Sequence, residues 1–316
     1  MQPALELDHL SVHFPTAAGV VKAVEAFNLT ILPGEKWCLL GESGCGKTVL
    51  ALSILRLLPA GTRISGAIRL SGVSVLDLDR KALKAIRGGR AAMIFEQPAS
   101  CLDPLFTVGD QVAETLLAQG NIGRRAARQE ALELLARVRL PSPEKRARQY
   151  PHQLSGGMIQ KVMIAIALAR KSKLIIADEP TTALDVSVQI QIIDLLNEVS
   201  TETGASLLLI SHDPDTAKAL CQQAVVMYAG QMVEQGDLKR LFQAPRHPYT
   251  QALLKALAGK EPRPIPGGVP ALTDLPAGCP FHPRCPMAMP QCRLQKPELK
   301  GNLRCYLQTP CSASKT

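Results

Sequence analysis

The stretch GESGCGKT, residues 41–48, has the spacing of a loop that binds phosphate groups, G-x-x-x-x-G-K-[ST]. Its glycines let backbone N–H groups converge on phosphate oxygens, and a helix that begins at the loop adds a favourable dipole. The Lys47 ammonium is expected to reach the β- and γ-phosphates of a nucleotide, and the Thr48 hydroxyl is expected to bind Mg²⁺. The predicted phosphate-binding residues are Gly41, Ser43, Gly44, Cys45, Gly46, Lys47 and Thr48.

A second chemical group follows an apolar run later in the chain. The stretch KLIIADEP contains four apolar residues, typical of a buried parallel strand, and then Asp178 and Glu179. Asp178 is expected to bind Mg²⁺ through water, and Glu179 is placed to polarise a water that attacks the γ-phosphate. An acidic strand end without a function is the alternative, and the phosphate loop in the same chain disfavours it.

Between these two motifs, LSGGMIQKVMIAIALAR predicts an apolar helix that opens with Ser155, Gly156 and Gly157. A helix N-terminus attracts anions, so this is a second predicted phosphate site. One nucleotide does not need two such sites in one subunit. The pattern therefore predicts that this site serves a nucleotide held by another subunit.

The sequence around the motifs predicts the elements that position them. WCLL before the loop indicates a strand, and VLALSILRLLP after it indicates a helix that ends near Pro59. Residues 4–32 alternate in polarity and predict an antiparallel sheet, whereas residues 107–153 have helical periodicity. GDLKRLFQAPRHPYTQALLKAL predicts further helices, and the proline- and glycine-rich KEPRPIPGGVPALTDLP predicts a linker without regular structure.

The composition limits the class of protein. The chain has 316 residues, of which 46% are hydrophobic and 20% charged, as expected of a globular protein with a buried core. The net charge of +9 suggests nucleic acid, but the basic residues form no clustered run and only 3% of residues are aromatic. We therefore favour solvated surface charge over nucleic-acid binding. No apolar run reaches the roughly 18 residues of a membrane span, and no signal peptide is visible.

Five of the nine cysteines lie near the C-terminus, at Cys279 and beyond. The spacing C-x5-C-x6-C-x12-C is not that of a zinc ribbon, and prolines flank three of the five C-terminal cysteines, which favours tight turns. A disulfide pair needs an oxidising compartment, whereas zinc and an iron–sulfur cluster each accept four thiolates. The residues alone leave these alternatives open. The cysteines of the pattern are Cys279, Cys285, Cys292 and Cys305, and Cys311 lies outside it.

The order GESGCGKT, LSGGMIQ, LIIADEP, TALD and SHD resembles the nucleotide-binding subunits of ABC transporters over nearly the whole chain. The resemblance implies an α/β fold: a P-loop ATPase core with an antiparallel β subdomain and a helical subdomain, within an ABC ATPase domain of residues 1–240. It implies that two such subunits sandwich two ATP molecules with Mg²⁺, each site combining one subunit's Walker motifs with the other's LSGG. The helical subdomain, about residues 107–153, would contact the membrane subunits.

The resemblance also assigns roles to three residues outside the phosphate loop. Asp185 in TALD would lie in the D-loop at the dimer interface, and His212 in SHD would be the switch histidine that contacts the γ-phosphate. Phe14 resembles the aromatic residue that stacks on adenine, with a core phenylalanine as the alternative.

One position departs from the family pattern. Members read IFQ followed by an acidic residue and proline, whereas this chain reads MIFEQP. Glu96 then takes the position of the glutamine that touches Mg²⁺ and signals to the membrane subunits, and a carboxylate still suits this hard cation. Alternatively, Gln97 substitutes after a local backbone shift. The sequence leaves both alternatives open.

The segment that contains the C-terminal cysteines shows a second resemblance. HPYTQALL followed by LPAGCPFHPRCP is similar to the C-terminal extension of the peptide- and nickel-importer branch of ABC proteins. Several members of that branch hold a [4Fe–4S] cluster there. The resemblance implies that residues 241–316 form a small cysteine-rich extension, with Cys279, Cys285, Cys292 and Cys305 as ligands of the cluster.

Together these resemblances imply an ATPase subunit that powers an importer of peptides, or of nickel or related chelates, at the cytoplasmic face of the inner membrane. The implied partners are a second ABC ATPase subunit, expected to be a paralogue, two transmembrane permease subunits and an extracytoplasmic solute-binding protein. The alternatives are a soluble ATPase of the same superfamily and an ATP-dependent metal sensor. The chain shows neither a tandem cassette nor a long coiled-coil insertion, and Glu179 with His212 disfavours a sensor that does not hydrolyse ATP.

Overall fold

The computed structural model of the chain describes residues 2–87, 89–118, 120, 122–258 and 264–307. These residues form two compact units, one from the described parts of 1–77 and 209–316, and the other from 78–208. The boundary between Leu208 and Leu209 falls inside a strand, so the chain re-enters the first unit in the middle of an apolar run.

The strands are β1 (Leu5–Thr16), β2 (Gly19–Ile31), β3 (Lys36–Leu40), β4 (Arg63–Leu70), β5 (Val73–Ser74), β6 (Ala91–Ile94), β7 (Leu174–Asp178), β8 (Ser206–Ile210), β9 (Gln223–Tyr228) and β10 (Gln231–Asp237). The helices are α1 (Lys47–Ile54), α2 (Arg80–Ile86), α3 (Pro98–Cys101), α4 (Val108–Leu117), α5 (Arg124–Arg137), α6 (Pro143–Arg146), α7 (Gly156–Leu168), α8 (Val186–Thr203), α9 (Pro214–Leu220), α10 (Leu238–Gln243), α11 (Pro248–Ala258) and α12 (Pro290–Leu294).

The first unit contains an antiparallel sheet of four strands in the order β2-β1-β4-β5. On β1, Leu5 pairs with Ile31 of β2 on one side and with Leu70 of β4 on the other, and all three are fully buried. This apolar row follows from the alternating polarity of the strands, since every second side chain points to the same face. The antiparallel sheet predicted for residues 4–32 is confirmed, and β4 and β5, which were not identified from the sequence, complete it.

Strand β3, which leads into the phosphate loop, belongs to the same unit. It runs parallel to β9, which pairs antiparallel with β10. All five residues of β3 are buried, as in a strand covered on both faces. The predicted strand at WCLL is thus confirmed.

Helix α1 is shorter than the sequence predicted. The N–H of Leu57 donates to the carbonyl of Leu52, and the N–H of Arg56 donates to the carbonyl of Ser53, each at 2.9 Å. With Arg56 at a left-handed φ of 50°, this is a Schellman motif, which ends a helix by satisfying its last carbonyls. The helix therefore ends at Ile54 rather than near Pro59.

The second unit contains the parallel pair β6 and β7, whose residues are all buried. Helix α7 begins at Gly156 and is buried along most of its length, so the predicted apolar helix after Ser155 is confirmed. Helices α4, α5 and α6 confirm the helical character predicted for residues 107–153.

The C-terminal part of the first unit follows β10. Helices α10 and α11 confirm the predicted helical segment, and the described residues 264–278 contain no helix or strand. Beyond them the chain is anchored by an aromatic cluster, in which the ring of Phe281 lies 5.2 Å from Tyr228 and 5.3 Å from Tyr249. Phe281 is 1% exposed, so these three rings form a small core for the segment.

None of the helices among the described residues combines the length and the apolar character that a membrane span requires.

Candidate functional site

The phosphate loop joins β3 to α1 and depends on its glycines. Gly44 and Gly46 have φ values of 77° and 108°, which other residues rarely adopt. A Cβ atom on Gly46 would lie 2.1 Å from the carbonyl oxygen of Ala23, and one on Gly41 would lie 2.4 Å from that of Met227. No side chain therefore fits at Gly41 or Gly46, where the loop packs against the backbone of β2 and β9, and the loop forms a cradle of main-chain groups.

The Lys47 side chain is held inside this cradle. It is 7% exposed, and its Nζ donates hydrogen bonds to the carbonyl oxygens of Gly41 at 2.8 Å and Glu42 at 3.0 Å. Burial raises the pKa of the neighbouring Cys45 thiol, so Cys45 is an uncharged buried residue at neutral pH. Thr48, at the start of α1, is exposed, as are Ser43 and Gly44. A buried ammonium inside a glycine cradle suits a phosphate group.

Two side chains from the C-terminal part of the same unit hold Glu42 of the loop. The backbone N–H of Glu42 donates to the Tyr249 hydroxyl at 2.9 Å. The Glu42 carboxylate accepts two hydrogen bonds from the Arg284 guanidinium, at 2.7 Å and 2.9 Å. The backbone and the side chain of one loop residue are therefore both fixed by residues far away in the sequence.

Two other predicted site residues belong to the first unit. His212 follows β8 and is exposed, and its neighbour Asp213 caps α9 by accepting from the N–H groups of Asp215 and Thr216. Burial opposes ionisation of Asp213, but these hydrogen bonds and the nearby His212 leave its pKa lowered. Phe14 lies on β1 opposite Val21 and is half-buried, so it is not a full core residue.

The predicted catalytic carboxylates lie in the second unit, where β7 ends. Asp178 is the last residue of the strand and is 2% exposed. Glu179 follows at a left-handed φ of 45°, and its carboxylate accepts a hydrogen bond from the Thr182 hydroxyl at 2.9 Å. A left-handed backbone is strained for a residue other than glycine, and such strain clusters at functional sites.

Glu96 and Gln97 also lie in the second unit, just after β6. Both are exposed, and Gln97 is the N-cap residue of α3 without a capping hydrogen bond from its side chain. Its carbonyl accepts from the Ser100 hydroxyl at 2.8 Å. The geometry thus leaves the choice between the two residues as a prediction to be tested.

The second predicted anion site is the N-terminus of α7. The Ser155 hydroxyl caps the helix by accepting from the N–H of Met158 at 3.4 Å. A Cβ atom on Gly157 would come within 2.7 Å of a methyl carbon of Val188 on α8, so a side chain here would displace Val188. Asp185 caps α8, accepting from the Ser187 hydroxyl at 2.6 Å and from the N–H of Val188 at 3.0 Å, and these bonds lower its pKa.

The four cysteines of the C-terminal pattern converge on one small cavity in the first unit, of about 10 Å³, which His247 and Phe281 also line. Within the described part of the chain, none of the four is joined in a disulfide bond. Burial raises the pKa of Cys279 to about 11, and the nearby Cys292, Cys305 and Cys285 add to the shift. No group of three or more His, Cys, Asp or Glu side chains among the described residues is arranged to hold a metal ion, so the predicted cluster is not supported by this geometry. Cys311 lies outside the described residues.

Four cysteines line this one cavity, which is the number of thiolates that an iron–sulfur cluster takes. The space itself is about that of one water molecule, so a larger group would have to spread the four turns apart.

Sequence reasoning missed the residues that hold the phosphate loop. Tyr249 lies within the HPYTQALL stretch and Arg284 within LPAGCPFHPRCP, yet the sequence suggested no role for either. The available signal was a carboxylate inside the loop and an arginine between two clustered cysteines, but 242 residues separate Glu42 from Arg284.

The sequence of the chain matches two known protein families. Residues 24–182 match the family described as ABC transporter, and residues 233–292 match the family described as oligopeptide/dipeptide transporter, C-terminal region. A protein of Sinorhizobium fredii named "probable peptide ABC transporter ATP-binding protein" is 43% identical over 303 residues, covering 93% of this chain and 90% of that protein. The oligopeptide transport ATP-binding protein OppD of Mycobacterium tuberculosis is 43% identical over 306 residues, covering 95% of this chain and 50% of that protein.

Two solved structures share the fold. The dimeric structure of a post-hydrolysis state of the ATP-binding cassette MJ0796, bound to ADP and Pi, matches with a TM-score of 0.67 and 29% identity, covering 74% of this chain and 98% of that chain. The structure of cbiO1 from Clostridium perfringens, part of the ABC transporter complex cbiONQ, matches with a TM-score of 0.64 and 27% identity, covering 77% and 92%. The predicted cassette fold, with its antiparallel sheet and helical part, is confirmed.

Proposed function

Because this chain belongs to the ABC transporter family, as one of its ATPase subunits, we propose that it binds and hydrolyses ATP to power an importer of peptides. The observation that carries the proposal is the phosphate loop, where the buried Lys47 ammonium lies inside a cradle that only glycine permits at Gly41 and Gly46. Peptide is favoured as cargo over nickel because the relatives are named for peptide transport and the C-terminal region matches that of oligopeptide and dipeptide transporters.

Different residues would bind the phosphates, the adenine ring and the Mg²⁺ ion of ATP. The N–H groups of the loop and the Lys47 ammonium would bind the β- and γ-phosphates, with Phe14 stacking on the adenine ring. Mg²⁺, when bound, neutralises charge on the phosphates. Thr48 and Asp178 would hold it, together with either Glu96 or Gln97.

Glu179 and His212 would act at the γ-phosphate. Glu179 would take a proton from the attacking water through its carboxylate, and His212 would donate a hydrogen bond to a γ-phosphate oxygen. The strained backbone at Glu179 and its bond from Thr182 support a carboxylate that is held in place rather than one that moves freely in solvent.

A second ATPase subunit would complete the site. Ser155, Gly156 and Gly157 open α7 with N–H groups that suit a phosphate, and Asp185 lies at the start of α8. On α8, Val186 is 71% exposed and Ile190 is 55% exposed, which supports an interface on this face. The MJ0796 cassette, which shares this fold, is a dimer, and a paralogue is the partner that we propose for this chain.

Membrane partners are the remaining part of the proposal. In the second unit, Leu105 is 80% exposed and Phe106 is 56% exposed, just before α4 of the helical region. Exposed apolar side chains of this size suit contact with a partner, which we take to be one of two permease subunits. The chain would then lie at the cytoplasmic face of the inner membrane, in a complex served by an extracytoplasmic solute-binding protein and without nucleic acid.

The four C-terminal cysteines would hold a [4Fe–4S] cluster within a cysteine-rich extension of residues 241–316. The convergence of four cysteines on one cavity supports this. The cluster, when bound, would cross-link the four turns of a segment that has only a small aromatic core of its own. A single zinc ion is the alternative, and the described side chains are no better arranged for it than for the cluster.

The function is tested by purifying the complex. The tagged chain is expressed with the products of its neighbouring genes, reconstituted in liposomes, and assayed for ATP hydrolysis with peptide, with nickel and with neither. We expect two membrane proteins to co-purify and peptide to stimulate hydrolysis. A chain that hydrolyses ATP alone and captures no membrane protein would support the soluble ATPase instead, and one that binds ATP without turnover would support the metal sensor.

A further inference from the structure

We propose that Arg284 is a positioning residue for the nucleotide site, acting through Glu42 of the phosphate loop. The inference rests on the proposed function only in taking ATP as the ligand of that loop. Arg284 immediately precedes Cys285, so the C-terminal cysteine segment would set the geometry of a loop that lies 242 residues earlier in the chain.

All five N–H donors of the Arg284 guanidinium have acceptors within reach. Nη1 donates to Glu42 Oε2 at 2.7 Å and Nη2 donates to Glu42 Oε1 at 2.9 Å, which is a bidentate ion pair. The other donors reach the Tyr228 hydroxyl at 3.3 Å, the Ile265 carbonyl at 3.1 Å and the Pro266 carbonyl at 3.1 Å. The single ammonium of a lysine lacks this planar fork and cannot make the same set of bonds.

The ion pair is largely withdrawn from water. The Arg284 side chain is 3% exposed and that of Glu42 is 22% exposed. The guanidinium carbon lies 5.8 Å from the centre of the Tyr228 ring, and a Cβ atom on Gly267 would approach the Arg284 side chain to 3.1 Å. Arg284 is thus fixed by its own surroundings, and loss of either charge would leave the other unpaired in a poorly solvated place.

A second contact from the same part of the chain reaches the same loop residue. The Glu42 N–H donates to the hydroxyl of Tyr249, a residue that is fully buried. The N–H of Tyr249 in turn donates to Nδ1 of His247 at 3.0 Å, and His247 lines the cavity of the four cysteines. Both the side chain and the backbone of Glu42 are therefore held from the C-terminal segment.

The position of Glu42 matters for phosphate binding because its carbonyl accepts a hydrogen bond from Lys47 Nζ at 3.0 Å. A displacement of Glu42 moves an acceptor of the ammonium that is expected to meet the phosphates. It also turns the N–H groups of the following residues, whose convergence gives such a loop its affinity. Loss of the Arg284 contact should therefore weaken nucleotide binding, although Arg284 itself need not touch the nucleotide.

The test uses the full-length chain with Arg284→Gln, Glu42→Gln, the double variant and Arg284→Lys. Arg293→Gln is the matched control, since Arg293 is exposed and also lies next to a cavity cysteine. Four quantities are measured: the Kd of a fluorescent ATP analogue with Mg²⁺, the KM and kcat of hydrolysis, and hydrogen exchange of the peptide spanning residues 41–48 in nucleotide-free protein.

We expect Arg284→Gln and Glu42→Gln each to raise Kd and KM about tenfold, with a smaller change in kcat. The double variant should be no worse than either single variant, because both remove the same interaction and the double variant leaves no unpaired charge. Arg284→Lys should restore part of the affinity, the loop peptide should exchange faster in Arg284→Gln, and Arg293→Gln should behave as the wild type.

A lower thermal stability with unchanged Kd and unchanged loop exchange would show that Arg284 is only structural, and would overturn the inference. Effects of the two single substitutions that multiply in the double variant would also overturn it. If the wild-type chain binds no ATP, the proposed function fails, and the exchange of the loop peptide still decides whether Arg284 positions the loop.

Discussion

The Thr182 hydroxyl donates a hydrogen bond at 2.9 Å to the carboxylate of Glu179, which lies three residues earlier in the chain. Glu179 has a φ of 45°, a conformation that costs a residue other than glycine about 1–2 kcal/mol. The turn and the hydrogen bond together fix the direction of the carboxylate where β7 ends. Such strain persists only where the surrounding structure enforces it.

The first prediction follows from this arrangement. Glu179→Gln should leave the Kd for ATP nearly unchanged and lower kcat by about 10²–10⁴-fold, the usual contribution of a general base. Thr182→Val is the companion variant, since it keeps the carboxylate and removes only its hydrogen bond, so it should reduce kcat by a much smaller factor. Steady-state hydrolysis by the reconstituted complex measures both, and near wild-type turnover in Glu179→Gln would contradict the assignment.

The second prediction compares two glycines of the phosphate loop. Gly46→Ala should abolish ATP binding, because its Cβ atom would lie 2.1 Å from a backbone oxygen that cannot rotate away. Gly44→Ala meets no atom within 4 Å and is penalised only by its φ of 77°, so it should lose no more than about tenfold in affinity. Calorimetric titration with ATP and Mg²⁺ separates the two, and equal losses would show that space is not what requires Gly46.

The third prediction concerns the C-terminal thiols. Protein purified without oxygen should be brown and carry about four irons and acid-labile sulfide per chain, and Cys285→Ser should lose both. Cys101→Ser is the control, because Cys101 is exposed and lies in the other unit. Stoichiometric zinc without sulfide, after growth with ample iron, would instead favour the zinc alternative.

The fourth prediction distinguishes Glu96 from Gln97. A carboxylate at this position is attracted by Mg²⁺ and repelled by the phosphates, and at about 4 Å with an effective dielectric near 20 each unit-charge interaction is roughly 4 kcal/mol. Because these contributions oppose each other, Glu96→Gln should change ATP affinity by only about fivefold. The larger change should be in the stimulation of hydrolysis by transported substrate.

The same measurement on Gln97→Ala decides whether Glu96 or Gln97 takes the position of the family's glutamine. Basal and stimulated hydrolysis are compared in the assembled complex for both variants. If Gln97→Ala abolishes stimulation while Glu96→Gln has no effect, Gln97 is the working residue.

The fifth prediction uses the buried His247. Burial lowers its pKa from an ordinary 6.5 to about 4, which the hydrogen bond to the backbone of Arg304 only partly offsets. Between these two values the unfolded chain binds a proton that the folded chain does not, so the free energy of unfolding falls as the pH drops from 6.5 towards 4, by roughly 3 kcal/mol at most. Above pH 6.5 the histidine is neutral in both the folded and the unfolded chain, so its burial no longer makes the free energy of unfolding depend on pH.

Thermal unfolding at pH 7 and pH 5 tests this for the wild type and for His247→Gln. The variant should be less stable at pH 7, because it loses the bonds of the ring, but its midpoint should fall less between the two pH values. His9→Gln is the control, because it removes a histidine whose side chain is exposed. An identical fall in wild type and His247→Gln would contradict the prediction.

The local structure of this protein can be predicted from its sequence. The strand before the phosphate loop, the glycine turn, the start of α1, the apolar helix after Ser155 and the acidic end of β7 each depend on neighbours within a few residues. Hydrophobic periodicity and the conformational freedom of glycine act over that range, so these elements can be recognised in the amino-acid sequence. The end of α1 was missed because the left-handed turn at Arg56, which closes it, carries no glycine to signal it.

The contacts between distant residues became known from the tertiary structure. It placed Arg284 and Tyr249 on Glu42, brought four cysteines to one cavity, and added β4 and β5 to the sheet begun by β1 and β2. Such contacts depend on how separate elements pack, and their partners carry no shared pattern along the chain. The ion pair of Glu42 with Arg284 is an example. Neither charged residue stands out in its own stretch of sequence, and the pair becomes important because both side chains are largely removed from water.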